Sequence, residues 1–131
     1  MKSKRHLKYI YHDAVITALE LRHDRTVCFH INLSTLFYKE IKNKVILQLH
    51  QILNYEDFLE YLSIHESNSF QFERAHRLDK FLRIDGVMLA TNTIHGNLVI
   101  TIDIDHLGAF GLFLKAIHEE GDAETNEEYG F

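Results

Sequence analysis

The chain contains no proline and no tryptophan, and Cys28 is its single cysteine. Without a second cysteine no disulfide can form within the chain, which fits a reducing compartment such as the cytoplasm. Cys28 lies in the apolar stretch TVCFHI, so we expect a small buried side chain rather than a reactive thiol. Since proline is missing, turns must be built from Gly, Asn, Asp and His, and these residues group at 23–25, 85–86 and 95–97.

Long apolar runs are also missing, because none approaches the ~18 residues that a membrane-spanning helix requires. The first residues are basic but are not followed by the apolar core of a secretory signal. We therefore predict a cytoplasmic protein without membrane contact. A length of 131 residues fits one domain with a single core.

Ten histidines invite a search for a metal site or a catalytic base. The sequence has no HExxH, no HxH and no Cys/His pairs at zinc spacing. It also lacks the GxSxG of a nucleophile elbow and any glycine-rich phosphate loop. We therefore predict no metal, no other cofactor and no enzymatic activity. The alternative is a small hydrolase or nuclease that uses histidine as acid and base, with His12, His30, His50 and His106 as candidates.

The apolar residues recur mostly at every second position, which is typical of half-buried strands. This alternation holds on both sides of HDR at 23–25 and predicts a β-hairpin there. Only 55–63 has clear helical spacing, with Asn54 placed to serve as the N-cap. Further strands are predicted at 43–53, 81–93, 97–105 and 110–117, whereas 72–82 fits either a helix or a strand. Together these segments predict a mostly β (α+β) domain, an antiparallel sheet of about six or more strands with one or two short helices.

Two His-Asp pairs are given structural roles. His23 and Asp24 fall in the predicted hairpin turn, where an aspartate is well suited to bind nearby backbone N–H groups. His12 and Asp13 stand where the first strand begins. We predict that Asp13 holds backbone N–H groups there while His12 packs over the start of the strand.

Negative charge is concentrated near the end of the chain. With 14 basic and 19 acidic residues the net charge is −5, and without the six acids of the final stretch it is 14 − 13 = +1. We predict a globular domain over 1–118 and an acidic tail over 119–131 that can be removed without unfolding the domain. The tail could meet a basic partner or dock on Lys2, Lys4 and Arg5 of the same chain. Its acids are Glu119, Glu120, Asp122, Glu124, Glu127 and Glu128.

Three stretches, in this order, carry a resemblance to a known family. They are YHDAVITALEL (11–21), KVILQLHQILNYEDF (44–58) and GNLVITIDIDHLGAFGLFLKAI (96–117). The arrangement resembles small immunity proteins of bacterial polymorphic toxin and contact-dependent growth inhibition systems, over residues 9–118. The resemblance implies a cytoplasmic antitoxin that is not an enzyme and does not itself contact nucleic acid. It implies a cognate toxin C-terminal domain as partner, usually a nuclease or ribonuclease.

Nuclease domains are basic because they grip phosphates, so acidic side chains are the natural surface for such a partner. We predict that the acids of the 119–131 segment form the binding surface. If they do not, the surface must lie on the folded body, around Asp85, Asp103 and Asp105.

Overall fold

A computed structural model describes residues 7–66 and 80–126, and the side chains of 7–62 and 83–126. The described part contains seven strands, one α-helix and one 3-10 turn, so the predicted mostly β fold is confirmed. The elements are β1 (Val15–Arg22), β2 (Thr26–Asn32), the 3-10 turn (Glu40–Lys42), β3 (Lys44–His50), α1 (Tyr55–Glu66), β4 (Lys80–Ile94), β5 (Asn97–Ile104), β6 (Ala109–Leu114) and β7 (Ala116–Gly121). Among the described residues no helix has the length and apolar character needed to cross a membrane.

All seven strands form one antiparallel sheet in the order β6-β5-β4-β1-β2-β3-β7. β6 and β7 stand at opposite ends of this order, yet only Lys115 separates them in the chain. Because consecutive Cα atoms are about 3.8 Å apart, the sheet must curl until its two edges meet at Lys115. There the Lys115 N–H donates to the His50 carbonyl over 3.3 Å, and the Leu53 N–H donates to the Phe113 carbonyl over 2.7 Å. The prediction of one strand over 110–117 is therefore wrong.

The core lies on the concave side of the curled sheet, and α1 covers it. Phe58 of α1 is fully buried and meets the Phe29 ring edge-on, with ring centroids 6.4 Å apart. The Phe110 ring of β6 also packs against Phe58, with ring centroids 5.7 Å apart. Such aromatic pairs add to the stabilisation from burial. The largest fully buried side chains are Phe29, Phe58, Ile16, Leu19, Leu21, Ile31, Leu33, Leu47, Leu49, Ile52 and Leu62.

The predicted hairpin is confirmed, and its turn spans 23–25 between β1 and β2. Asp24 and Arg25 both have positive φ, 59° and 57°. The residue that anchors the turn is Arg25, which donates to the Ile52 carbonyl over 2.7 Å and forms a two-pronged pair with Glu56. The turn is thereby tied to the first turn of α1.

Asn54 does not use its side chain as a helix cap. Its amide N–H donates to the Gly111 carbonyl over 2.8 Å, and its amide oxygen accepts from the Phe113 N–H over 3.0 Å. The Asn54 side chain therefore satisfies backbone groups of β6 on the edge that does not pair with β5. Of the ambiguous stretch 72–82, residues 72–79 lie outside the described part, and β4 begins at Lys80.

Candidate functional site

Three aspartates lie near one end of the sheet, where β4 and β5 pair. We call Asp85, Asp103 and Asp105 the carboxylate cluster. The Asp105 carboxylate accepts from the Asp85 N–H over 2.7 Å, and the Asp105 N–H donates to the Asp85 carbonyl over 2.7 Å. Asp103 accepts from the Gly108 N–H over 3.3 Å. Of the residues named as the binding surface on the folded body, Asp85 and Asp105 are joined by hydrogen bonds, and Asp103 lies in the neighbouring part of β5.

The turn that follows β5 shapes the backbone next to this cluster. Asp105, His106 and Gly108 all have positive φ, and the Tyr61 hydroxyl of α1 joins the turn to the helix. That hydroxyl donates to the Gly108 carbonyl over 2.7 Å and accepts from the Ile104 N–H over 2.9 Å. Burial is the main reason that the pKa of Tyr61 is raised, and the charges of Asp103 and Asp105 raise it further. Hydrogen bonds to α1 therefore hold the turn that neighbours Asp103 and Asp105.

The exposed end of the cluster faces solvent. The side chain of Asp85 is 78% exposed, and that of His106 is 92% exposed with Nε2 4.0 Å from an Asp85 oxygen.

The segment predicted to be an acidic tail begins inside the sheet. Glu119 and Glu120 belong to β7, which pairs with β3 as far as Gly121. The Glu119 carboxylate accepts from the N–H groups of Lys8 and Tyr9, over 2.7 and 3.2 Å, and from the Tyr11 hydroxyl over 2.7 Å. The predicted boundary at 118/119 therefore does not coincide with the end of the fold, and Glu119 is an internal anchor rather than a surface charge.

Beyond β7 the chain returns to the body. Glu124 forms an ion pair with Lys39, in which the Lys39 ammonium donates a hydrogen bond to the Glu124 carboxylate. This hydrogen bond is the main reason that the pKa of Glu124 is lowered. The Thr125 backbone bridges to Tyr38. Asp122 is 96% exposed and lies 3.6 Å from the Lys42 ammonium. The acids Glu127 and Glu128, and the predicted docking residues Lys2, Lys4 and Arg5, lie outside the described residues.

Tyrosines around Glu119 were not predicted from the sequence. Tyr9 donates to the Gly121 carbonyl over 3.0 Å, and the Tyr38 hydroxyl accepts from the Ile10 N–H over 2.9 Å. Burial, then the charge of Glu119, raises the pKa of Tyr11. The only sequence signal was the pair of aromatic residues two positions apart just before the first strand. These contacts fasten the segment before β1 against β7.

His12 and Asp13 form an exposed pair rather than a buried one. Their side chains are 3.3 Å apart and are 68% and 69% exposed. Asp13 has a φ of 60°, and the turn here is closed by the Ala14 N–H donating to the Tyr11 carbonyl over 2.9 Å. The predicted packing of His12 over the start of the strand is wrong. The pair lies in the turn before β1, and the structural role given to Asp13 stays a prediction.

The outward side of the sheet carries a second group of titratable residues. His30 of β2 lies diagonally across from Glu20 of β1, and its Nε2 is 2.7 Å from the Glu20 carboxylate. The hydrogen bond from His30 is the main reason that the pKa of Glu20 is lowered. A cleft of about 520 Å³ runs beside His30 and is also lined by Lys44 and Glu120. This histidine is the one alternative catalytic candidate that has both a partly buried carboxylate partner and a cleft.

Cys28 lies in the same outward set, between Glu20 and Gln48 in the strand register. It is fully buried, and burial raises the pKa of its thiol to about 11. The thiol is therefore protonated at neutral pH and behaves as the small buried side chain that was predicted.

His50 ends β3 in a partly buried position. Its Nδ1 is 3.5 Å from the Thr26 hydroxyl, and its Nε2 has no hydrogen-bond partner among the described residues. Burial first, and then the charges of His118 and Arg22, lower the pKa of His50 below its ordinary value of 6.5.

This depressed pKa predicts that acid destabilises the fold through His50. The unfolded state binds the proton more readily, so the contribution of His50 is complete above about pH 6.5 and is lost as the pH falls through the folded-state value. We expect the free energy of unfolding, measured in urea, to fall from about pH 7.5 to about pH 5.5, and to fall less steeply in His50→Gln. His106→Gln is the control because its ring is exposed. Equal slopes in the wild type and His50→Gln would contradict the assignment.

Among the described residues no three His, Cys, Asp or Glu side chains are grouped so that they could hold a metal ion. Comparisons of the chain with protein-family models, with curated proteins and with solved structures gave no match. The carboxylate cluster and the Glu20–His30 pair are the two features of the described residues that bear on function.

Proposed function

We propose that the protein is a cytoplasmic immunity protein that binds and neutralises a basic toxin domain, a nuclease or ribonuclease, as its resemblance to the contact-dependent growth inhibition systems implies. The observation that carries the proposal is the carboxylate cluster. Asp85, Asp103 and Asp105 are held by backbone hydrogen bonds at one end of the sheet, and Asp85 projects into solvent.

A group of acidic side chains at one end of the sheet suits a partner that binds phosphates. Lysine and arginine side chains that line a nuclease groove are attracted to such a set over several ångströms, which speeds encounter and fixes orientation. In this proposal the acids of the 119–131 segment contribute less to the toxin-binding surface than was predicted from the sequence. Glu119 and Glu124 already have partners within the chain, and Asp122 is the described acid of that segment most open to solvent.

The test is toxin binding by the triple variant Asp85→Asn, Asp103→Asn, Asp105→Asn. Asparagine keeps the carbonyl oxygen that accepts the Gly108 and Asp85 N–H bonds, so the turn should survive. The toxin domain is obtained as the product of the gene immediately upstream, which should co-purify with the protein. We expect the association rate of the triple variant with this domain to fall by a factor of roughly five or more at low salt. The difference should shrink toward physiological ionic strength, as screening shortens to about 8 Å.

The matched control removes the same charge elsewhere, in the exposed residues Asp24, Glu40 and Asp57. These three are spread over the hairpin turn, the 3-10 turn and α1. If control and cluster variants slow association equally, only net charge matters and the cluster is not the binding surface. If the co-expressed toxin domain does not bind the wild type at all, the immunity proposal fails.

A second candidate is favoured by the Glu20–His30 pair beside the cleft of about 520 Å³. A carboxylate that orients an imidazole is the usual arrangement of a general base, which suits a small hydrolase or nuclease. Phosphodiester cleavage by the isolated protein, lost in His30→Asn and kept in His106→Asn, would favour this candidate over the immunity proposal.

A further inference from the structure

β4 has 15 residues and the neighbouring β1 has 8, so the end of β4 extends beyond β1. Its first part pairs with β1 as far as Val87, and the Met88 N–H donates to the Ala14 carbonyl over 2.9 Å. The chain then turns away at Asp13, whereas pairing with β5 on the other side continues to Ile94. On the β1 side, Leu89–Ile94 has no strand partner among the described residues, and all six residues are exposed.

The register shows which backbone groups face this open edge. β4 and β5 are joined by the two-residue turn at His95 and Gly96, so Ile94 and Asn97 are a hydrogen-bonded pair. Asn92 and Ala90 follow at alternate positions and also point their backbone groups at β5. The N–H and C=O groups of Thr91 and Thr93 therefore point away from the sheet.

This edge lacks the usual protection against strand pairing. Residues 89–94 read LATNTI, with no lysine, no other charge and no proline, although a quarter of the chain is charged. Leu89 and Ile94 are 44% and 42% exposed. A bulge at Leu89 marks where pairing with β1 stops, and the pairing with β5 is regular from Ala90 onward.

We propose that this open edge pairs with the same edge of a second copy of the chain, antiparallel about a two-fold axis at Asn92. In that register Thr91 of each copy lies opposite Thr93 of the other, so the four outward-facing N–H groups and four C=O groups exchange hydrogen bonds. Ala90 lies opposite Ile94, which covers part of both exposed isoleucines.

Charge and shape favour a second copy over a different partner. Two copies of a chain with net charge −5 would bring like charges together if they met through most other parts of their surface. The segment 89–94 is uncharged, so pairing it with itself avoids this repulsion. The same register carries the His95–Gly96 turn of the second copy toward a cleft of about 270 Å³ beside Leu89, lined also by Tyr11 and His12. This inference does not depend on toxin binding.

The first test is the mass of the full chain in solution. Sedimentation velocity over a range of concentrations should show the mass rising from 15.4 kDa toward twice that value. Thr91→Pro removes an outward N–H without touching the β5 ladder, and Thr93→Lys places like charges across the two-fold axis. Each should weaken self-association at least tenfold, roughly, whereas Thr35→Lys, on an exposed loop, should not.

The second test needs no substitution. Amide hydrogen exchange followed by NMR should show the Thr91 and Thr93 N–H groups exchanging fast in dilute protein and slowing at least tenfold, roughly, in concentrated protein. The Ala90 and Asn92 amides, already paired with β5, should change little. A chain that stays monomeric, with fast exchange at Thr91 and Thr93 at high concentration, overturns the proposal. So does protection of these two amides that arises only when a toxin domain is added.

Discussion

Replacing Ile102 by aspartate is expected to unfold the protein. Ile102 lies in the middle of β5, opposite Met88 of β4 and Phe110 of β6, and is fully buried. An unpaired carboxylate at that position loses its hydration and gains no partner, which costs several kcal/mol, comparable to the whole stability of a small domain. The far-UV circular dichroism and the dispersion of the NMR amide signals should both report loss of the fold.

The neighbouring residue provides the matched control. Asp103 points to the other side of β5, is partly exposed, and accepts one N–H from Gly108. Asp103→Asn keeps a carbonyl oxygen for that bond, so its free energy of unfolding should stay within about 0.5 kcal/mol of the wild type. If Ile102→Asp stays folded while Asp103→Asn melts, the two faces of β5 are assigned the wrong way round.

Alternation was sufficient to locate the hairpin, β3 and β5, because each of these strands has one side in the core. It failed at 110–117, where it indicated a single strand. The buried residues there are Leu112 and Leu114 in β6 but Ile117 in β7, so the inward side changes from even to odd positions at Lys115. That change of parity was present in the sequence. The change of parity marks the point where the chain leaves β6 at one edge of the curled sheet and enters β7 at the other edge. This can be recognised only once the whole strand order is known.

The carboxylate cluster was only partly predictable. Counting outward from the His95–Gly96 turn pairs Asp85 with His106 in a regular hairpin. The bulge at Leu89 shifts the register by one residue, which places Asp105 beside Asp85 instead. A bulge leaves no clear mark in a single sequence, because its residue type is ordinary for a strand. The three acids could therefore be proposed as a set, but not the contacts that hold them.

The charge composition of 119–131 led to the prediction of an acidic tail, and for Glu119 this prediction is wrong. Counting charges treats every acid as solvated, yet Glu119 is surrounded by donors from residues more than 100 positions earlier. Contacts of that range depend on β7 closing the sheet beside the segment that precedes β1. No local pattern around Glu119 announces them.

Ending the chain after His118 is expected to destabilise the fold strongly, contrary to the expectation from the sequence that 119–131 is dispensable. The truncation removes half of β7, which pairs with Val45, Ile46 and Leu47 of β3. It also removes the Glu119 carboxylate and the Gly121 carbonyl. Each buried polar group left without a partner costs about 1–3 kcal/mol, so the combined loss should reach several kcal/mol in urea unfolding.

Two matched variants separate the strand from the charge. A chain ended after Asn126 keeps β7, the Glu119 contacts and the Lys39–Glu124 pair, so its urea midpoint should equal that of the full chain. Glu119→Ala keeps the strand but leaves the Tyr11 hydroxyl and two backbone N–H groups without their acceptor, so it should lose about 1–3 kcal/mol. Glu119→Gln retains one carbonyl oxygen and should lose less. If truncation after His118 leaves the midpoint unchanged, β7 does not close the sheet as described, and the acids of 119–131 return to the surface as candidates for toxin binding.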